Sequence, residues 1–128
     1  MDLGIKGRVA LITGASGGIG LATARQLSEE GVWLVLSDID QQKLEEAYTW
    51  LSADNVLLAA DMTRQDQVER VVEAGQAKFG KIDIVVHTAG VTGAKGDPLE
   101  LTDKDYLEAW NTDFFSAVRV ARATIPDM

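Results

Sequence analysis

The chain has 128 residues, enough for one domain around one core. Its 20 acidic and 12 basic residues leave a formal net charge of −8, which repels nucleic-acid phosphates and anionic lipid surfaces. Without cysteine, and with His87 as its one histidine, it offers neither a disulfide framework nor thiolate or His-cluster metal chemistry.

The amino terminus lacks a long apolar run, and nowhere do about 18 apolar residues follow one another, so an unexported, cytoplasmic protein without a membrane span is expected. The first strand is predicted over Arg8-Val9-Ala10-Leu11-Ile12 and runs into Thr13-Gly14-Ala15-Ser16-Gly17-Gly18-Ile19-Gly20. A strand that ends in a glycine-rich turn and passes into a helix points bare N–H groups and the positive helix end at a phosphate. Gly14 serves the tight turn, Gly18 a close approach of pyrophosphate to backbone, and Gly20 close packing of helix on sheet. Glycine clusters also make ordinary surface turns; the flanking strand, the helix and a later acidic residue favour a dinucleotide site here.

The helix is expected from Gly18 to Glu30, with Ile19, Ala22, Ala24 and Leu27 on its packing face and Gly31 as its stop. Trp33-Leu34-Val35-Leu36-Ser37-Asp38 reads as a strand buried on both faces. A second helix carries Leu44, Ala47, Tyr48 and Leu51 between Asp40 and Asn55. Asn55–Ala60 is the third strand and ends at Asp61. Thr63 with Asp66 suggests a cap for a third helix with the stripe Val68, Val71, Val72, Gly75 and Phe79, stopped by Gly80. Ile82–His87 is the fourth strand, and the glycines and Pro98 between Thr88 and Thr102 mark a loop. Thr102 and Asp105 cap a long last helix bearing Tyr106, Leu107, Trp110, Phe114, Phe115, Ala117, Val118, Ala121 and Ile125, ended by Pro126. Strands alternating with helices imply βαβ units and a parallel sheet with right-handed crossovers.

Asp38 lies 18 positions after Gly20, near the offset of about 20 at which an acidic side chain meets the adenosine ribose. Its carboxylate would accept from both ribose hydroxyls and repel a 2′-phosphate, and Ser16 in the turn is neutral, so NAD is favoured over NADP. Asp61, at the end of the next strand, suits either an adenine contact or a helix cap. His87, alone at a strand end, reads as a packing or hydrogen-bonding residue before a proton shuttle.

Together these residues resemble the classical branch of the short-chain dehydrogenase/reductase family. Thr13–Gly20 fits its TGxxxGxG turn, Asp61 its acidic adenine contact, Ala89-Gly90 the second half of its NNAG segment, and Asn111 its helix asparagine. The resemblance implies an α/β Rossmann fold: a doubly wound parallel sheet in three αβα layers with strand order 3-2-1-4-5-6-7, here truncated after the fourth strand and its helix. It implies a cofactor-binding set of Gly14, Ser16, Gly17, Gly18, Ile19, Gly20, Asp38, Ile39, Asp61, Met62, Ala89 and Gly90, with Asn111 as the catalytic asparagine. The implied activity is an NAD(H)-dependent interconversion of an alcohol and a ketone, of the 3-oxoacyl reductase or polyol/sugar dehydrogenase type, in a homo-oligomeric parent.

Two departures stand out. His87-Thr88 replaces the Asn-Asn pair that ties the central strands together in relatives, and either residue could supply a hydrogen bond in its place. The family's serine and YxxxK pair are missing: Tyr48 and Tyr106 are followed four positions on by Ser52 and Trp110. The expectation is therefore that residues 1–128 are a single, incomplete NAD(P)-binding domain from a longer enzyme, inactive alone. Its fourth strand would be a bare edge, with Trp110, Phe114, Phe115 and Val118 underpacked. Other readings are a non-catalytic dinucleotide-binding or regulatory module and a methyltransferase-type domain; the wide glycine spacing, Asn111 and Ala89-Gly90 disfavour the second.

Overall fold

The computed structural model describes residues 1–91 and 93–128; Thr92, inside the loop expected between Thr88 and Thr102, lies outside the described residues. Among the described residues, four strands, β1 (Val9–Thr13), β2 (Trp33–Ser37), β3 (Val56–Leu57) and β4 (Ile84–His87), form one parallel sheet in the order β3-β2-β1-β4. Helices α1 (Gly18–Glu29), α2 (Gln41–Ala47) and α3 (Gln65–Phe79) make the crossovers. After β4 come α4 (Asp103–Trp110), a π turn (Asn111–Phe115), α5 (Ser116–Thr124) and a closing 3-10 turn (Ile125–Asp127).

The alternation of side chains along β1 divides the interior in two. Val9 and Leu11 join Val35, Val68, Val71, Val72, Ile82 and Val120, so α3 and α5 cover one face of the sheet. Ala10 and Ile12 join Leu34, Leu36, Ala24, Leu44 and Tyr48, so α1 and α2 cover the other. The three layers expected from the sequence follow from this split. Because β2 and β4 lie on opposite sides of β1, the strand order reverses at β1, and a crevice opens there at the carboxyl ends of the strands.

Several local expectations are corrected. On α1 the buried residues are Gly20 and Ala24, whereas Ile19 is 74% exposed and Ala22 also faces outward. Gly20 sets this rotation, since a Cβ there would lie 2.5 Å from the Gly14 carbonyl oxygen and the bare residue makes the closest approach. Helix α2 ends at Ala47, short of Leu51, after a start capped by the Asp40 side chain. Regular β3 is only two residues long, yet Leu58 N–H donates to Leu36 O and Ala60 N–H to Asp38 O, so the segment follows β2 to its end. Helix α3 begins after Arg64, and Thr63 turns back to Asp61 instead of pairing with Asp66. The Thr102–Asp105 capping box does form, but the single last helix expected is broken by the π turn.

At the amino ends of the strands, Asp83 fastens β4 to β1. Its carboxylate accepts from Val9 N–H at 2.9 Å and pairs with Lys81 at 3.0 Å and Arg8 at 3.5 Å. Burial works against this charge, but the Val9 bond, then Lys81 and Arg8, hold the carboxyl below its usual range. Trp33 stacks on Phe79 beside it at 5.8 Å. Strand β4 is an edge strand, and Trp110, Phe114 and Phe115 stay 55%, 47% and 41% exposed, stacked chiefly on one another. Among the described residues no helix is long and apolar enough to cross a membrane.

Candidate functional site

The crevice is built outward from the glycine turn. Gly14 has φ +62°, and a Cβ on it would come within 2.6 Å of the Ala89 nitrogen and 2.8 Å of the Thr88 oxygen, so the loop after β4 closes directly on the turn. A Cβ on Gly18, by contrast, meets nothing within 4 Å. Ala15, fully buried, anchors the turn from below: its N–H donates to Ser37 O, and its carbonyl accepts the Tyr48 hydroxyl at 2.7 Å. Burial pushes the Tyr48 phenol up to about 12; the Asp38 charge adds to the shift and Arg25 opposes it.

Among the described residues, helix α1 starts without a side-chain cap, and its first turn carries no acidic residue. Gly17 N–H is spent on Gly14 O, but the N–H groups of Gly18, Ile19 and Gly20 have no acceptor among the described residues. Free donors at the positive end of a helix, beside a glycine with open space above it, suit an anionic group such as a diphosphate.

From this turn a cleft of about 260 Å³ extends over the strand ends, lined by Gly14, Gly17, Asp38, Ile39, Ala60, Asp61, Met62, Thr63, Thr88, Ala89, Gly90, Val91 and Thr112. Eight of the residues expected to bind cofactor, Gly14, Gly17, Asp38, Ile39, Asp61, Met62, Ala89 and Gly90, are thereby brought to one place. Ser16 adjoins them through Asp38, Gly20 lies underneath, and Gly18 and Ile19 stand exposed at the start of α1.

The Asp38 carboxylate is partly committed. Its Oδ2 accepts both the backbone N–H and the hydroxyl of Ser16, at 3.0 and 2.5 Å, and its Oδ1 accepts Ile39 N–H at 2.7 Å. Three of about four acceptor positions are thus occupied, so gripping two ribose hydroxyls requires the Ser16 hydroxyl to turn away. Asp61 bonds through Oδ1 to the backbone and hydroxyl of Thr63, a local turn that keeps the carboxylate in the cleft wall.

Asn111 does not reach the cleft. Arg119 takes its side-chain oxygen at 2.5 Å and its backbone oxygen at 3.3 Å, and the same guanidinium meets Met62 O at 3.4 Å. The residues that replace it at the cleft are its neighbours on the π turn. Thr112 lines the wall, and Asp113 accepts Val91 N–H at 2.8 Å, close enough to Gly90 that a Cβ there would sit 3.0 Å from the carboxylate. Sequence reading missed Thr63, Thr112 and Asp113; proximity to Asp61 and Asn111 was the only signal for them.

Where relatives are expected to show Asn-Asn, both substitutes bond across to β1. Thr88 Oγ1 donates to Thr13 O at 2.7 Å, and the His87 ring lies between Thr13 Oγ1 at 2.7 Å and Ser116 Oγ at 3.0 Å. Burial holds the His87 ring below its usual pKa.

A parallel sheet wrapped by helices on both faces, with a glycine turn opening on its switch point, defines a Rossmann-like domain. The chain belongs to the short chain dehydrogenase family, whose family model matches residues 8–128. It is 34% identical over 123 residues to a 1-deoxy-11-beta-hydroxypentalenate dehydrogenase of Streptomyces arenae, covering 93% of this chain and 44% of that protein. Among solved structures, a short-chain dehydrogenase/reductase of the glucose/ribitol dehydrogenase type from Brucella melitensis superposes with a TM-score of 0.91 at 29% identity, over 99% of this chain and 55% of that one. A 3-ketoacyl-(acyl-carrier-protein) reductase from the same organism, complexed with NADH, gives 0.89 at 28% identity, over 96% and 51%. The chain spans about half the length of the curated relatives it matches.

Proposed function

We propose that this chain is the dinucleotide-binding part of an NAD(H)-dependent oxidoreductase that interconverts an alcohol and a ketone. The observation that carries the reading is the uncapped start of α1, whose unpartnered N–H groups open on a cleft with a carboxylate at the end of the next strand. Gly14, Ser16, Gly17, Gly18, Ile19 and Gly20 would surround the diphosphate. Asp38 and Ile39 would hold the adenosine ribose, Asp61 and Met62 would flank the adenine, and Ala89 and Gly90 would run along the nicotinamide half. The bound dinucleotide supplies or receives the hydride.

The residues of this chain bind and orient; neither tyrosine is placed to move a proton. Tyr48 is buried under Ala15 with its phenol pushed up to about 12, the direction opposite to activation, and Tyr106 donates to Pro98 O. Proton transfer in this proposal therefore falls to residues outside this sequence, in a cytoplasmic, homo-oligomeric enzyme whose subunit contact includes the exposed aromatic cluster of the π turn.

Titration of NADH and NADPH into the chain tests the reading. NADH should bind about tenfold tighter or better, a difference of about 1.4 kcal/mol or more, because Asp38 faces any 2′-phosphate with a carboxylate. Equal affinities would remove Asp38 from its role, and no binding of either would remove the dinucleotide.

A further inference from the structure

We infer that His87 is a positioning residue whose neutral ring, protonated on Nε2, ties the glycine turn to the π turn, so that acidification loosens the dinucleotide cleft. The inference rests on the dinucleotide reading above and adds to it a residue and a pH dependence.

The direction of each hydrogen bond follows from counting protons. Ser116 Oγ has one, and donates it to Thr112 O at 2.5 Å. It must therefore accept from His87 Nε2, which places the ring proton there. Nδ1 is then bare and takes the Thr13 hydroxyl proton at 2.7 Å, while Thr13 Oγ1 accepts Ala89 N–H at 3.4 Å. The result is a one-way series: Ala89 N–H to Thr13, Thr13 to the ring, the ring to Ser116, and Ser116 to Thr112. Both of its ends, Ala89 and Thr112, line the cleft.

An imidazolium has a proton on each nitrogen. The second would point at Thr13 Oγ1, which must then turn its own proton away while Ala89 N–H still aims at the same oxygen. Among the described residues no charged group bonds to the ring: its partners are Thr13 from β1 and Ser116 from α5, neither of which titrates. Of the charged groups on the π turn and α5, Asp113 is engaged with Val91 N–H, Arg119 with Asn111 and Met62, and Arg122, in the last turn of α5, is exposed. Burial moves the ring in the same direction, lowering its pKa from 6.5. The unfolded or loosened chain then binds the proton more readily than the closed one, so the tie is complete above pH 6.5 and weakens as pH falls below it.

The test titrates NADH into the full chain at about pH 8 and about pH 5.5 for wild type, His87→Asn and His87→Gln, with a nitrogen NMR spectrum of the one imidazole in wild type. Expected are an Nε2–H ring near neutrality and an affinity about three- to tenfold weaker at the lower pH, against less than about twofold in the amide variants. An Nδ1–H ring, or a pH dependence shared by wild type and variants, overturns the inference and leaves dinucleotide binding standing. Absence of NADH binding at the higher pH overturns the dinucleotide reading and the coupling with it. Should neither variant fold, a wild-type affinity that does not change with pH overturns the inference, and a fall that follows the titration of the ring in the spectrum supports it.

Discussion

At the residue scale, the phosphate turn depends on a side chain from another layer. Tyr48, the residue that follows α2, is buried as its spacing predicts, but its hydroxyl also satisfies the Ala15 carbonyl under the turn. Tyr48→Phe keeps the ring and strands that carbonyl, so it should cost about 1–3 kcal/mol, read as a lower urea midpoint at unchanged slope. The pH dependence has a definite sign. The folded phenol keeps its proton up to about 12 whereas the unfolded one loses it near 10, so wild type should lose stability as pH rises from 10 toward 12 and the variant should lack that component. A helical wheel shows that Tyr48 is buried; it does not show which backbone atom its polar end reaches. The same limit explains Asp38. Its distance from Gly20 identified it, but the demand of Ser16 on its carboxylate is a tertiary contact between side chains 22 positions apart.

At the element scale, what was legible followed simple periods. The buried apolar run of β1 and the stripe Val68, Val71, Val72 and Gly75 on α3 each appear as expected, and Gly80 ends α3 with φ +86°. The last helix departs because a π turn closes i to i+5 and advances the chain by an extra residue, which no 3.6-residue period registers. That extra residue turns Asn111 away to Arg119 and presents Thr112 and Asp113 to the cleft and its loop. At the other end of the sheet the β1–β4 pairing can be tested through Asp83. Asp83→Asn should lower stability at neutral pH, with the gap from wild type closing as pH falls below 3.8, where the unfolded carboxyl also takes its proton. Acid titration of unfolding for the two proteins measures it; a gap independent of pH would show that the ion pairs contribute nothing.

At the scale of the whole molecule, the parallel sheet and the place of the cleft were legible because glycine turns and strand–helix alternation are short-range signals, whereas the sheet order came from the family resemblance. The exposure of Trp110, Phe114 and Phe115 was expected as well, but not their stacking on one another, which depends on the π turn. Trp110, Phe114 and Phe115 stack together instead of entering either core. Phe114→Lys should therefore reduce self-association in sedimentation experiments while changing unfolding stability by less than about 0.5 kcal/mol. A large loss of stability would show that the cluster supports the fold. Finally, the two poles of the sheet do separate work: the cleft sits at one, and Arg8, Lys81, Asp83 and the Trp33–Phe79 stack occupy the other. A linker or dye attached at Lys81 would point away from the mouth, giving a natural handle for mounting the domain on a sensor chip with its binding side outward.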